Sequence, residues 1–273
     1  MGEEESGAAA GALLVIITGH RGCGTKGIGL SEPENTLRSI LRAVELGADQ
    51  VEVDAHLSLD NRVVMIHDST VDRTTNGRGK IRGYTLAELR ALDAGQGERI
   101  PTLEEVIDSV RGKATLQIEL KGIGVEDEVI RITKASGMVE QSIITSFRHD
   151  AVARAKALEP RICTGVLFVC SPISPTRLAG DAGADNLHPN VEYVDASIVK
   201  LAHQKGLGVY VWNADTEEKA IEMLQFGVDA IGTNRLDIVL PLAQQLGSQT
   251  SVGNGMKGKV LSSHGLPKAK RMH

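Results

Sequence analysis

Two stretches of the chain carry carboxylates at a spacing that a β-strand would align. Val51-Glu52-Val53-Asp54-Ala55-His56 alternates apolar and polar residues, and Leu116-Gln117-Ile118-Glu119-Leu120-Lys121 repeats the pattern. Side chains of a strand point to opposite faces in turn. Val51, Val53 and Ala55 therefore share one face and Glu52, Asp54 and His56 the other, while Leu116, Ile118 and Leu120 oppose Gln117, Glu119 and Lys121. If the apolar faces meet helices, then Glu52, Asp54 and Glu119 point into a common interior. Carboxylates gathered out of water must be protonated, paired with bases or bound to a cation. Their oxygens suit a hard divalent ion, Mg2+ or Ca2+. A salt-bridge cluster with Arg21 and Lys121 is the structural alternative for the same residues.

Two histidines sit beside groups that would make them useful. His20-Arg21-Gly22 follows an apolar run, and His67-Asp68 follows a second one at 63–66. Together His20 and His67 offer an acid and a base that titrate near neutrality. Arg21 presents a planar fork suited to phosphate oxygens. Of the other histidines, His56 and His188 are expected near the same mouth, and His149 and His203 on helix surfaces. Trp212, the only tryptophan, ends an apolar run and is expected to wall a pocket. Pro33-Glu34-Asn35-Thr36 reads as a helix start with Asn35 or Thr36 as N-cap. Asp72-Arg73-Thr74-Thr75-Asn76-Gly77 reads as a turn with local hydrogen bonds.

The elements that must position these groups form a repeating series. Strands are expected at 14–18, 50–56, 115–121, 142–147, 162–169, 185–188, 208–212 and 229–233. Helical patterns follow at 36–46, 125–135, 149–158, 174–180, 196–204, 216–226 and 236–246. The second strand is the exception, since about 45 residues of mixed character (57–101) precede its helix at 103–110. Eight β–α units point to an α/β (β/α)8 TIM barrel, typically about 250 residues long, with a small insertion after the second strand. A doubly wound open sheet is the alternative. In a barrel, chemistry resides at the C-terminal ends of the strands, where the carboxylates, both histidines and Trp212 fall.

Composition narrows the classes further. The net charge of -5 in 273 residues supplies no field for nucleic acid. Cys23, Cys163 and Cys170 form no CxxC pair, which argues against a zinc site or disulfide framework and fits a reducing, cytoplasmic setting. Glu3, Glu4 and Glu5 precede the first apolar run where a signal peptide needs positive charge. No apolar stretch is long enough to span a membrane. Residues 1–12 are expected as a flexible segment, 13–246 as the barrel domain, and 247–273 as a flexible basic tail.

The ordered motifs GHRG (19–22), PENT (33–36), GADQVEVDAH (47–56), VVMIHD (63–68), DRTTNGRG (72–79), IPTLEEV (100–106), QIELK (117–121), SF (146–147) and GVDAIGTN (227–234) resemble the glycerophosphodiester phosphodiesterase family over residues 18–246. The resemblance implies a TIM barrel that hydrolyses a small-molecule glycerophosphodiester to glycerol 3-phosphate and an alcohol. It implies Glu52, Asp54 and Glu119 as ligands of the divalent cation, His20 and His67 as the acid–base pair, and Arg21 and Lys121 as phosphate contacts. Lysophospholipase D-type hydrolysis at the same site is the nearer alternative, and a non-catalytic binding barrel the more distant one. The chain departs from the family pattern in its longer glycine-rich segment at 23–32 and in Asn234, where Asp is common. It also has Asp215 where the family has Asn, and Asp215 is expected to act as a helix N-cap.

Overall fold

A computed structural model describes residues 15–25 and 27–252. Its strands are β1 (Ile16–Gly19), β2 (Gln50–Leu57), β3 (Val63–Met65), β4 (Thr115–Leu120), β5 (Ser142–Ser146), β6 (Cys163–Phe168), β7 (Asn186–Pro189), β8 (Gly208–Val211) and β9 (Ala230–Thr233). All but β3 are parallel, in the order β2-β4-β5-β6-β7-β8-β9-β1, and β1 closes the circle by pairing again with β2. The eight-stranded closed barrel excludes the open-sheet alternative.

Helices α1 (Leu37–Leu46), α3 (Leu103–Val110), α4 (Glu126–Ala135), α5 (His149–Leu158), α6 (Pro175–Ala182), α7 (Ala196–Gln204), α8 (Glu217–Phe226) and α9 (Leu236–Val252) surround it, and α2 (Leu86–Arg90) belongs to the insertion. Their limits follow local chemistry. Thr36 caps α1 by accepting from the Ser39 N–H, and Thr102 with Glu105 forms a capping box on α3. Gly47 and Gly227 end α1 and α8 in the left-handed conformation that a side chain would oppose.

The period-two reading holds where it matters. Val51, Val53, Ala55, Leu116, Ile118 and Leu120 are buried in the layer between barrel and helices, each such side chain contributing about 1.5–3 kcal/mol when large and fully buried. Ile143, Tyr210 and Ala230 form a separate cluster.

Residues between β2 and α3 carry a core of their own. Val63 and Met65 of β3 join the main core, while Val64 packs with Ile66, Val71, Ile81, Leu89, Ala94 and Ile100. β3 therefore bridges two cores by the same alternation that orders β2. The helix α2 inside this segment was not expected from the sequence. α9 continues to Val252, past the expected boundary at 246. Residues 1–12 and 253–273 of the expected terminal segments lie outside the described residues.

Candidate active site

The register of β2 on β4 sets Glu52 opposite Gln117 and Asp54 opposite Glu119. Glu52, Asp54 and Glu119 are buried, and one oxygen from each lies within 4.8 Å of the others. The salt-bridge alternative is partly realised among them. Lys121 Nζ lies 2.9 Å from Glu119 Oε1 and 3.9 Å from Asp54 Oδ1, and Arg21 Nε lies 3.3 Å from Asp54 Oδ2. Two bases do not satisfy three acids, however, and Glu52 Oε1 and Asp54 Oδ1 are buried without a hydrogen-bond partner. Burial and the neighbouring Asp54 charge push Glu52 well above the usual carboxylate range, and the same causes raise Glu119 to about 7. Burial also works against the Asp54 charge, but Arg21 and Lys121 outweigh it and hold Asp54 low. For Lys121 the balance is similar: burial opposes its charge, and Glu119 and Asp54 raise its pKa. Such a group of oxygens can hold a hard cation, because an ion would satisfy the two unpartnered atoms and remove the cost of the like charges.

Arg21 is set by a tight turn. Its φ of 52° is left-handed, and its backbone N–H donates to Glu52 Oε2 at 2.8 Å. Gly22 follows at φ 86°, and a Cβ there would strike Ser39 of α1, so only glycine lets the turn lie against the helix. The Arg21 guanidinium donates to Glu34 Oε1 at 2.9 Å. Asn35, read from the sequence as a possible cap, instead bonds Asp54 through both ends of its amide. Thr36 is the cap.

His67 reaches the site through the β2–β3 hairpin. Pairing of Leu57 with Val63 and of Ala55 with Met65 runs the chain back down, and the Ile66 N–H donates to the Asp54 carbonyl at 2.9 Å. His67 Nδ1 lies 2.6 Å from Asp68 Oδ1. Arg73, read as part of a local turn, grips Asp68 at 2.8 and 3.0 Å and Glu34 at 2.8 Å through each of two nitrogens. Arg21, Glu34, Arg73, Asp68 and His67 thus form one chain of contacts from β1 to the insertion. His56 supports the same hairpin, with Nε2 donating to the His67 carbonyl at 3.2 Å.

His20 approaches from the other side. Its Nδ1 is 2.8 Å from Asn234 Oδ1, and its Nε2 is 4.0 Å from Glu52 Oε2. Burial, helped by the Arg21 charge, pushes its pKa down to about 4 against the raising influence of Asn234 and Asp54. Asp215, expected as the N-cap of α8, is not the cap. Thr216 fills that role, accepting from the Lys219 N–H, while Asp215 accepts from the Asn234 backbone and side chain at 2.7 and 2.8 Å. The residue one place nearer the helix leaves Asp215 free to turn back toward β9.

A cavity of about 170 Å³ joins these groups, lined by His20, Arg21, Glu52, His67, Glu119 and Lys121 among others. Trp212 lines it as expected, edge-on to Phe147 with centroids 5.5 Å apart, and its indole N–H donates to the His188 carbonyl at 2.9 Å. His188, buried on β7, lines the cavity, and burial lowers its pKa to about 3. A Cβ on Gly165 would run into its ring. His203 is exposed on α7 and bonds Asp229 at 2.8 Å. His149 departs from expectation: it opens α5 half-buried, and its Nε2 donates to the Leu167 carbonyl of β6 at 2.9 Å. At the first helical residue a side chain points back over the strand ends instead of outward.

The sequence reading missed Asn35, Arg73, Asp215 and Asn234 as parts of the site. Asn234 carried one signal, its place directly after a strand end.

The chain is similar to known proteins in both sequence and fold. The model of the glycerophosphoryl diester phosphodiesterase family matches residues 20–238. A glycerophosphodiester phosphodiesterase of Caldanaerobacter subterraneus is 36% identical over 248 residues, covering 86% of this chain and all of that relative. The structure of an Oleispira antarctica phosphodiesterase in complex with the product sn-glycerol-3-phosphate is 30% identical, with a TM-score of 0.75 over 84% of this chain and 96% of the other. A glycerophosphodiester phosphodiesterase structure from Agrobacterium tumefaciens is 26% identical, with a TM-score of 0.73 over 83% and 99% of the two chains.

Proposed function

The chain belongs to the glycerophosphoryl diester phosphodiesterase family, and from that premise we propose that it hydrolyses glycerophosphodiesters to glycerol 3-phosphate and an alcohol with His20 and His67 as the acid–base pair. The observation that carries the reading is the convergence of both histidines, Arg21, Lys121, Glu52 and Glu119 on one cavity. Two cationic side chains beside a small cavity suit an anionic phosphodiester. Arg21 and Lys121 would contact its nonbridging oxygens, where charge grows in the transition state. Trp212 and Phe147 would supply an apolar part of the wall.

Glu52, Asp54 and Glu119 would hold a divalent cation, Mg2+ or Ca2+. The buried, unpartnered oxygens of Glu52 and Asp54 and the all-oxygen donor set fit such an ion. When bound, it would supply Lewis-acid stabilisation of the phosphoryl oxygens. One histidine takes the proton of the attacking hydroxyl as its oxygen bonds to phosphorus; water gives glycerol 3-phosphate directly, whereas the hydroxyl on the adjacent glycerol carbon gives a cyclic phosphate that a water must then open. The other gives a proton to the departing ester oxygen as the P–O bond breaks. Arg73, through Asp68, would hold the His67 ring over the cavity.

A second reading, hydrolysis of lysophospholipids at the same site, has one observation in its favour. Ile123, Phe147, Val169 and Ile173 are exposed on the loops that follow β4, β5 and β6, at the strand ends where an acyl chain would leave the mouth. For location we propose the cytoplasm, which suits an exposed free thiol at Cys170. Among the described residues no helix is long and apolar enough to cross a membrane.

The test is a screen of glycerophosphocholine, glycerophosphoethanolamine, glycerophosphoinositol and a lysophospholipid, with Mg2+, with Ca2+ and with EDTA. Glycerol 3-phosphate should appear from the first three and vanish with EDTA. Full turnover after exhaustive chelation would remove the cation from the reading, and turnover of the lysophospholipid alone would select the second.

A further inference from the structure

We propose that Asn234, held by Asp215, is a positioning residue that fixes His20 in the tautomer protonated on Nδ1, so that Nε2 turns its lone pair to the cavity. The register brings the pair together. Gly19 lies opposite Thr233 in the β1–β9 ladder, so the next residue on each strand, His20 and Asn234, emerge side by side at the catalytic end. Asn234 is 3% exposed, and each end of its amide has a partner of fixed sense. Its Oδ1 accepts from the Thr25 backbone N–H at 3.0 Å, and its Nδ2 donates to Asp215 Oδ2 at 2.8 Å. A backbone N–H only donates and an ionised carboxylate only accepts, so the amide has no second orientation. The oxygen must face His20 Nδ1 at 2.8 Å, and that nitrogen must carry the hydrogen.

Asn213 bears on the same atom. Its amide lies 3.2 Å from His20 Nδ1, and its Oδ1 is buried without a partner when Nδ2 faces the ring. Amide orientations are assigned from their hydrogen bonds, and with Nδ1 protonated the Asn213 amide turns its oxygen to the ring as a second acceptor. Asp215 is anchored in turn, accepting from the Asn234 backbone N–H at 2.7 Å and from Thr233 Oγ1 at 3.2 Å. An aspartate at 234 would set two carboxylates against each other, whereas Asn accepts toward the histidine and donates toward Asp215. The exchange of Asp for Asn at 234 and of Asn for Asp at 215, noted in the sequence as two separate departures, is one coupled arrangement.

The inference rests on the reading of His20 as a proton-transfer group, but its primary readout needs no substrate. Full-length protein labelled with 15N-histidine, in Mg2+, is observed by long-range 1H–15N correlation, with His20 assigned from its loss in His20→Gln. The wild-type ring should show a protonated Nδ1 and an unprotonated Nε2. Asn234→Leu should lose that signature and lower kcat by about 10- to 100-fold with KM changed less than threefold, the cost typical of removing a histidine's orienting partner. The swap Asp215→Asn/Asn234→Asp keeps an acceptor at Nδ1 and a donor–acceptor pair behind it, so it should restore both the signature and most of the turnover. A wild-type ring protonated on Nε2 overturns the proposal, even if Asn234→Leu fails to fold. So does an Asn234→Leu protein that keeps the Nδ1–H signature. A correct wild-type signature with undiminished turnover in His20→Ala would overturn the catalytic role of His20 instead, which separates the two failures.

Discussion

Asn35 holds Asp54 from two directions, its Nδ2 donating to Asp54 Oδ2 at 2.8 Å and its Oδ1 accepting from the Asp54 backbone N–H at 3.0 Å. One amide thus fixes both the carboxylate's rotation and the height of the strand that carries it. Asn35 adopts a left-handed φ of 59° to do so, a conformation that asparagine tolerates better than most residues. If Glu52, Asp54 and Glu119 hold a divalent cation, Asn35→Ala should lower its affinity by about 10- to 100-fold, read from metal titrations of activity. It should also cost about 1–3 kcal/mol in chemical denaturation, because a buried donor is left unpaired. An unchanged metal titration would show that Asp54 needs no such support.

Arg73 is expected to matter to turnover although it is partly exposed. Arg73→Ala frees Asp68, and with it the His67 ring, and removes two of the bonds to Glu34. We expect kcat to fall by about 10- to 100-fold. Arg73→Lys should recover little, because an ammonium group does not reproduce a fork that spans two carboxylates. Steady-state kinetics of both variants decide it, and a lysine variant with full activity would show that charge alone suffices.

His20→Ala and His67→Ala should each reduce turnover by about 10²- to 10⁴-fold. The double variant should lose little beyond the worse single one if the two act in a single step. Additive losses would place them in separate steps.

His149→Ala removes a hydrogen bond to the Leu167 carbonyl. It is expected to cost about 1 kcal/mol in denaturant unfolding while leaving turnover within about threefold. A large loss of kcat in a protein of normal stability would place the ring in the mechanism.

His188 gives a pH signature. Its pKa is lowered by burial from 6.5 to about 3, so between these values the unfolded chain takes up a proton that the folded one refuses. Stability therefore falls as pH drops through that window, by at most about 1.4 kcal/mol per pH unit from this group. His188→Gln, neutral throughout, should show a shallower loss between pH 6.5 and 4 when unfolding free energies are compared. Parallel curves would mean that the ring is protonated in the folded state.

What could be read from the sequence divides along physical lines. Alternation fixes which face of β2 and β4 a residue takes, so the three carboxylates and Lys121 were legible before any coordinates. The strand–helix rhythm made the barrel legible for the same local reason. Asn35, Arg73 and Asn234 act across the site through partners 19, 39 and 214 residues away, and no local pattern announces such a partner. Asp215 was misread because Asp before a helix is a common cap, and Thr216, one place later, was equally able to serve. His149 was misread because helical periodicity ignores the direction in which a first-turn side chain leans.

The circle of strands closes where its first and last strands meet, with β1 bonded to β9 over four residue pairs and to β2 over only two. A ribosome delivers the N-terminal portion first. The strands bearing the acid cluster, β2 and β4, are therefore made long before β9 and Asn234. A nascent or prematurely ended chain carries the charges of the centre without the residue that orients His20, and loop closure over more than two hundred residues is slow to repay its entropy. β9, the last of the described strands in chain order, thus completes both the ring of strands and the surroundings of His20.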